Sequence, residues 1–154
     1  MTAIGLDVEL FDLRNYFDRQ DQLETDIRKH GVIWVSGGNV FVLRQAMRLS
    51  GLDIVLQNLA HENNNILYGG YSAGICVLGP SLKGLELVDS TTHYPYDDKP
   101  EVIWEGLGIL DYSIVPHFDS EHPESSAVTK VVELYEKENT PHKKIKDGEV
   151  IVIE

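Results

Sequence analysis

The chain has 154 residues, 42% hydrophobic and 25% charged, which fits one globular domain with a sizeable core. Its net charge of −12 repels phosphate backbones and argues against nucleic-acid partners. It has no apolar run of about 18 residues, no basic leader ahead of an apolar stretch and a single cysteine, Cys76, so a cytoplasmic protein without membrane contact or an internal disulfide is expected.

In chain order, Val8–Leu13 alternates in polarity and predicts a strand with one polar face. Gln22–His30 predicts a helix with Leu23 and Ile27 on one side, ended by Gly31. Val32-Ile33-Trp34-Val35 is a continuous apolar run, as in a strand buried on both faces. Ser36-Gly37-Gly38-Asn39 breaks it, and helices follow over Phe41–Ser50 and Ile54–His61. Asn65–Gly69 predicts a strand, Gly70-Tyr71-Ser72-Ala73-Gly74 a tight turn, and Ile75–Leu78 the start of a helix. Leu85–Val88 predicts another strand, Thr91–Glu101 an exposed excursion, and Tyr112–Val115 a strand leading to Pro116-His117. Glu124–Asn139 carries an amphipathic helical pattern. The C-terminus predicts a hairpin around Asp147-Gly148, with Val150–Ile153 as its second strand. Strands alternating with helices imply an α/β sandwich around a mostly parallel sheet, whose chemistry gathers beyond the carboxyl ends of the strands.

Three turns fall at that end. Strand, Gly-x-Ser-x-Gly and helix together form a nucleophile elbow, which lifts the Ser72 hydroxyl clear of the sheet. Acyl transfer also needs a base and donors for the oxyanion. His117 is the candidate base, because it follows a strand at the proper end; His93 and His122 are weaker competitors. The Ala73 amide is one candidate donor. The second comes from Gly37-Gly38-Asn39, where glycine lets backbone approach a substrate; Asn39 is a candidate helix N-cap as well as a substrate-binding position. Asp89 is the favoured carboxylate to orient His117, with Glu86, Asp97, Asp98 and Glu101 as alternatives. No His-x-x-x-His or Cys-x-x-Cys pair, Walker loop or dinucleotide fingerprint is present, so no metal or cofactor is expected. Cys76 reads as a small core residue.

Three segments carry a family resemblance: Val35-Ser36-Gly37-Gly38-Asn39-Val40-Phe41-Val42-Leu43; Gly70-Tyr71-Ser72-Ala73-Gly74 with Gly79-Pro80-Ser81; and Gly106–Asp111 leading to Pro116-His117-Phe118-Asp119. Together they resemble the peptidase E family, the aspartyl dipeptidases and their cyanophycinase-like relatives. The resemblance implies a three-layer, flavodoxin-like fold similar to class I glutamine amidotransferases, with serine in place of their cysteine. It implies Ser72 as nucleophile, His117 as base, and the Gly38 and Ala73 amides as oxyanion hole, acting on small peptides or related amides.

The chain departs from the family in three ways. Val40 stands where the family usually has threonine, and Glu124-Ser125-Ser126-Ala127 lacks the arginine that the aspartyl dipeptidases carry shortly after the histidine segment, which puts Asp-x specificity in doubt. The first strand and helix of the family fold also have no counterpart, since Met1–Leu6 looks like the tail of that helix. A sheet lacking that βα unit exposes apolar edges, so a homodimer is expected. The alternative reading is a truncated, non-catalytic relative serving as a binding or assembly module.

Overall fold

A computed structural model describes residues 5–62, 65–96 and 101–153. It contains helices α1 (Gln20–Ile27), α2 (Val40–Ser50), α3 (Leu52–His61), α4 (Ala73–Cys76) and α5 (Ser125–Glu138), and strands β1 (Val32–Val35), β2 (Leu67–Gly70), β3 (Ser113–Val115) and β4 (His142–Lys144). β1 pairs with β2 and β3 with β4, both in parallel, so each pair needs a helical crossover; α2 and α3 supply one and α5 the other. The expected α/β class with parallel strands is what is seen.

Local chemistry explains the boundaries. Asn39 caps α2, its Oδ1 accepting from Phe41 N–H (2.9 Å) and Val42 N–H (3.0 Å). Gly51 ends α2 at φ 77, a left-handed conformation that suits glycine, and α3 starts at once, so the two helices form a tight corner. Leu23, Met47, Val55, Val77, Val115 and Val131 are fully buried in one cluster shared by the helices and β3. Each such side chain contributes about 1.5–3 kcal/mol by leaving water.

Three predicted strands are absent. Val8–Leu13 pairs with no strand among the described residues: Leu10 is 93% exposed, and Asp12 instead caps a 3-10 turn over Leu13–Tyr16 by accepting from Arg14 N–H. Leu85–Leu87 is also a 3-10 turn, closed internally by Leu87 N–H to Gly84 O and Val88 N–H to Leu85 O. The C-terminal hairpin does not form. Of its expected first arm, Lys144-Ile145-Lys146, Lys144 is the last residue of β4 in the parallel pair with β3, and Val150 and Val152 remain exposed. The Asp147-Gly148 turn itself exists, closed by Glu149 N–H to Lys146 O.

The parallel pairing has one consequence for function. The carboxyl ends of β1, β2, β3 and β4 deliver Gly37-Gly38-Asn39, Tyr71-Ser72, His117 and Asp147 to one place. No helix among the described residues is long and apolar enough to cross a membrane.

Candidate active site

A cleft of about 420 Å³ lies there, lined by Gly37, Gly38, Asn39, Tyr71, Ser72, Asp89, His117, His122 and Glu124. Ser72 sits at its floor with φ 52 and ψ −125. A serine rarely adopts this conformation, and holding it costs on the order of 1–3 kcal/mol, supplied by the surrounding packing. Two close approaches enforce the turn. A Cβ on Gly74 would collide with the Val35 carbonyl oxygen, and one on Gly37 would lie 2.9 Å from Ser72 Cβ. The Tyr68 hydroxyl donates to Gly74 O (2.5 Å) and ties the helix start to β2. Among the described residues, Ser72 Oγ has no hydrogen-bond partner, and neither the Gly38 nor the Ala73 N–H donates to another group.

His117 follows β3 and is also at positive φ, 62. Its Nδ1–H donates to Asp147 Oδ1 at 2.6 Å. The loop after β4 is latched to the loop after β3 in three ways: Phe118 N–H donates to Ile145 O, Asp147 N–H donates to Ser120 Oγ (2.9 Å), and Lys146 pairs with Asp119. The acid that meets His117 is therefore Asp147. Asp89 lines the cleft but is engaged elsewhere, its Oδ2 accepting from Val40 N–H at 2.8 Å. Its delivery by a 3-10 turn in place of a strand aims it at the start of α2. Burial lifts the Asp89 carboxyl above its ordinary range, the Val40 amide opposes this, and the charge of Glu124 adds to the rise. Of the alternatives, Glu86 accepts from Gly84 N–H (2.6 Å), Glu101 is exposed and outside the cleft lining, and Asp97 and Asp98 lie outside the described residues.

Asn39 lines the cleft, and most of its carboxamide is engaged: Oδ1 caps α2 and one Nδ2–H donates to Ser90 O (2.8 Å). Cys76 is buried, and burial, reinforced by the charges of Asp89 and Glu124, pushes its thiol up to about 12, so it is no rival nucleophile. His117, His122 and Glu124 bring one ligand atom each within 4.8 Å of one another, which places a metal ion in question. The two rings are stacked, however, with centroids 3.8 Å apart and planes 8° from parallel. Their in-plane lone pairs run side by side and do not converge on one point in this arrangement. Behind Ser72 a smaller recess of about 30 Å³ is lined by apolar groups such as Val40, Ala73, Cys76 and Val115, together with Asp89, His117 and Glu124.

Sequence reasoning thus named Ser72, His117, Gly38, Ala73, Asn39 and Asp89, and all but Ala73 line the main cleft; Ala73 lines the recess behind it. It missed Asp147, the stacking of His122 on His117 and the presence of Glu124 in the cleft. The signal for Asp147 was present: an acidic residue shortly after a strand, at the carboxyl end where the other turns gather.

The chain is 29% identical to an uncharacterized peptidase of Listeria monocytogenes over 142 residues, 88% of this chain and 62% of the relative. It is 27% identical to an uncharacterized peptidase of Pasteurella multocida, over 74% of this chain and 52% of that one. The 1.5 Å crystal structure of a candidate peptidase E protein from Listeria monocytogenes EGD-e superimposes with a TM-score of 0.72 at 26% identity, covering 94% of this chain and 64% of that one. The chain therefore spans somewhat under two thirds of these relatives' length. The model of peptidase family S51 matches residues 2–154, which takes in every strand, helix and turn that builds the cleft, and the chain belongs to that family.

Proposed function

We propose that this chain is a serine hydrolase that cleaves short peptides or related small amides, with Ser72, His117 and Asp147 as its catalytic triad. The observation that carries the reading is the bonded His117–Asp147 pair sharing one cleft with a serine held at positive φ. Ser72 Oγ attacks the amide carbonyl carbon while His117 Nε2 takes its proton. Asp147 holds the Nδ1–H tautomer and stabilises the imidazolium. The free Gly38 and Ala73 N–H groups supply the hydrogen bonds that the oxyanion needs. As the intermediate collapses, the C–N bond breaks and the proton passes to the departing amine. Water, activated by the same histidine, then attacks the serine ester and releases the acid. Every group required is a protein group, and no cofactor enters.

The cleft carries two carboxylates, Asp89 and Glu124, and no lysine or arginine among its lining residues. Its volume and charge favour a small substrate with an ammonium near the scissile bond and disfavour an acidic one. Covalent labelling by a fluorophosphonate probe tests the reading: Ser72 should take up the probe, and Ser72→Ala should not.

We further propose self-association. The face of β1–β2 that bears Val32, Trp34 and Leu67 is exposed, whereas parallel strands are ordinarily covered on both faces. A second copy is the occupant that closed symmetry favours. Light scattering should give twice the chain mass at tens of micromolar, and a monomer there would remove the proposal.

A further inference from the structure

We infer that His122 is a positioning residue for His117, an uncharged aromatic platform that fixes the plane of the base and stabilises its imidazolium. The inference rests on the hydrolase reading above. The hydrogen bond from Nδ1 to Asp147 restrains the His117 ring at one edge. The His122 ring adds a restraint on its face. It covers one face of His117 at 3.8 Å, nearly parallel, and a rotation of the His117 ring would drive it into its neighbour.

The protonation of the pair follows from its bonds. His122 Nδ1 accepts from Glu124 N–H at 3.2 Å, a bond to which that nitrogen presents its lone pair. Nδ1 of His117, by contrast, faces the carboxylate of Asp147. When the base accepts a proton from Ser72, the positive charge forms on the ring that has the anionic partner. It then lies against the π-face of a neutral ring, a cation–π arrangement. Two stacked imidazolium ions would repel, so His122 can serve only while it remains uncharged. The charged groups around the stack are Asp147 from the β4 loop, Asp89 from the turn before the excursion, and Glu124, whose Oε2 lies 3.9 Å from His122 Nδ1. Asp119 and Lys146 flank the base and are paired with each other.

The experiment measures kinact and KI of a fluorophosphonate probe on the full chain and on three variants. His122→Phe keeps an uncharged ring and should label at close to the wild-type kinact. His122→Ala should lower kinact about fivefold to thirtyfold, the range expected for a partly desolvated cation–π contact, with KI unchanged. His122→Lys places a cation under the base and should be slower than His122→Phe. A His122→Ala kinact within twofold of wild type overturns the inference. If that variant fails to fold, equal kinact values for the Phe and Lys variants overturn it instead. These outcomes presuppose wild-type labelling that Ser72→Ala abolishes; absence of labelling in the wild type, or labelling that survives Ser72→Ala, overturns the hydrolase reading itself.

Discussion

Replacing Asp147 by asparagine preserves the shape of the turn and removes the negative charge that faces His117 Nδ1. The bond lost is a charge-assisted one of 2.6 Å between a side chain 14% exposed and one 47% exposed. Hydrogen bonds to charged groups contribute about 1.5–3 kcal/mol, and about 1.4 kcal/mol is tenfold in rate. The structure therefore supports a loss between about 10-fold and 100-fold in the rate at which Ser72 is labelled. The cost stays below the roughly 10⁴-fold of a fully buried triad acid, because water reaches Asp147 and screens part of its charge. Asparagine can also present its amide nitrogen to Nδ1 and so favour the wrong tautomer. The assay is the pseudo-first-order rate of fluorophosphonate labelling, followed by intact mass, with Asp89→Asn as the control. Asp89 bonds the Val40 amide and not the base, so its substitution should leave the rate within about twofold. Wild-type labelling by Asp147→Asn, with a large loss in Asp89→Asn, would refute the assignment and return the role to Asp89.

Gly74→Ala should destabilise the protein by about 1–3 kcal/mol, since its Cβ meets the Val35 carbonyl and the packing must give; a melting temperature lower by several degrees is the readout, and an unchanged one would show that the elbow is loose. Asp89→Asn should change the pH dependence of stability. The raised carboxyl makes the native state bind its proton more readily than the unfolded chain, so that contribution is present at low pH and lost as pH rises through the raised native value. Asparagine retains an acceptor for Val40 N–H without titrating, so the variant should gain stability relative to wild type as pH rises from acid to neutral. Denaturant titrations across that range check the sign, and a relative loss would contradict it. In a dipeptide panel, free N-termini should be preferred about tenfold or more over N-acetylated ones, the size of one charge-assisted contact, and acidic peptides should be poorest. A preference for an acidic first residue would overturn the electrostatic reading of Asp89 and Glu124.

Much of the frame was legible because each signal was local. The Val32–Val35 run, the Gly-x-Ser-x-Gly turn, the Asn39 cap and the Gly51 break are each dictated by a few adjacent residues. What was not legible depends on distant partners. Val8–Leu13 and Leu85–Val88 have strand patterns, but neither pairs with another strand among the described residues. The Asp147-Gly148 turn was correctly placed, yet its role hinged on β4 pairing in parallel with β3 and not folding back on Val150–Ile153. That single change of partner carries Asp147 to His117. Asp89 does not meet His117 in the structure for the same reason: the segment before it curls into a 3-10 turn and delivers it to Val40. The stack of His122 on His117 is invisible in a spacing of five residues, because it depends on the positive φ of His117 and Asp119 bending the loop back.

The central claim is that Ser72 is a nucleophile activated by His117. Peptide mapping of the fluorophosphonate-treated protein tests it most directly. The account predicts one adduct, on the peptide bearing Ser72, lost in Ser72→Ala and strongly reduced in His117→Ala. A folded wild-type protein that takes up no probe, or an adduct that persists in Ser72→Ala, would contradict it.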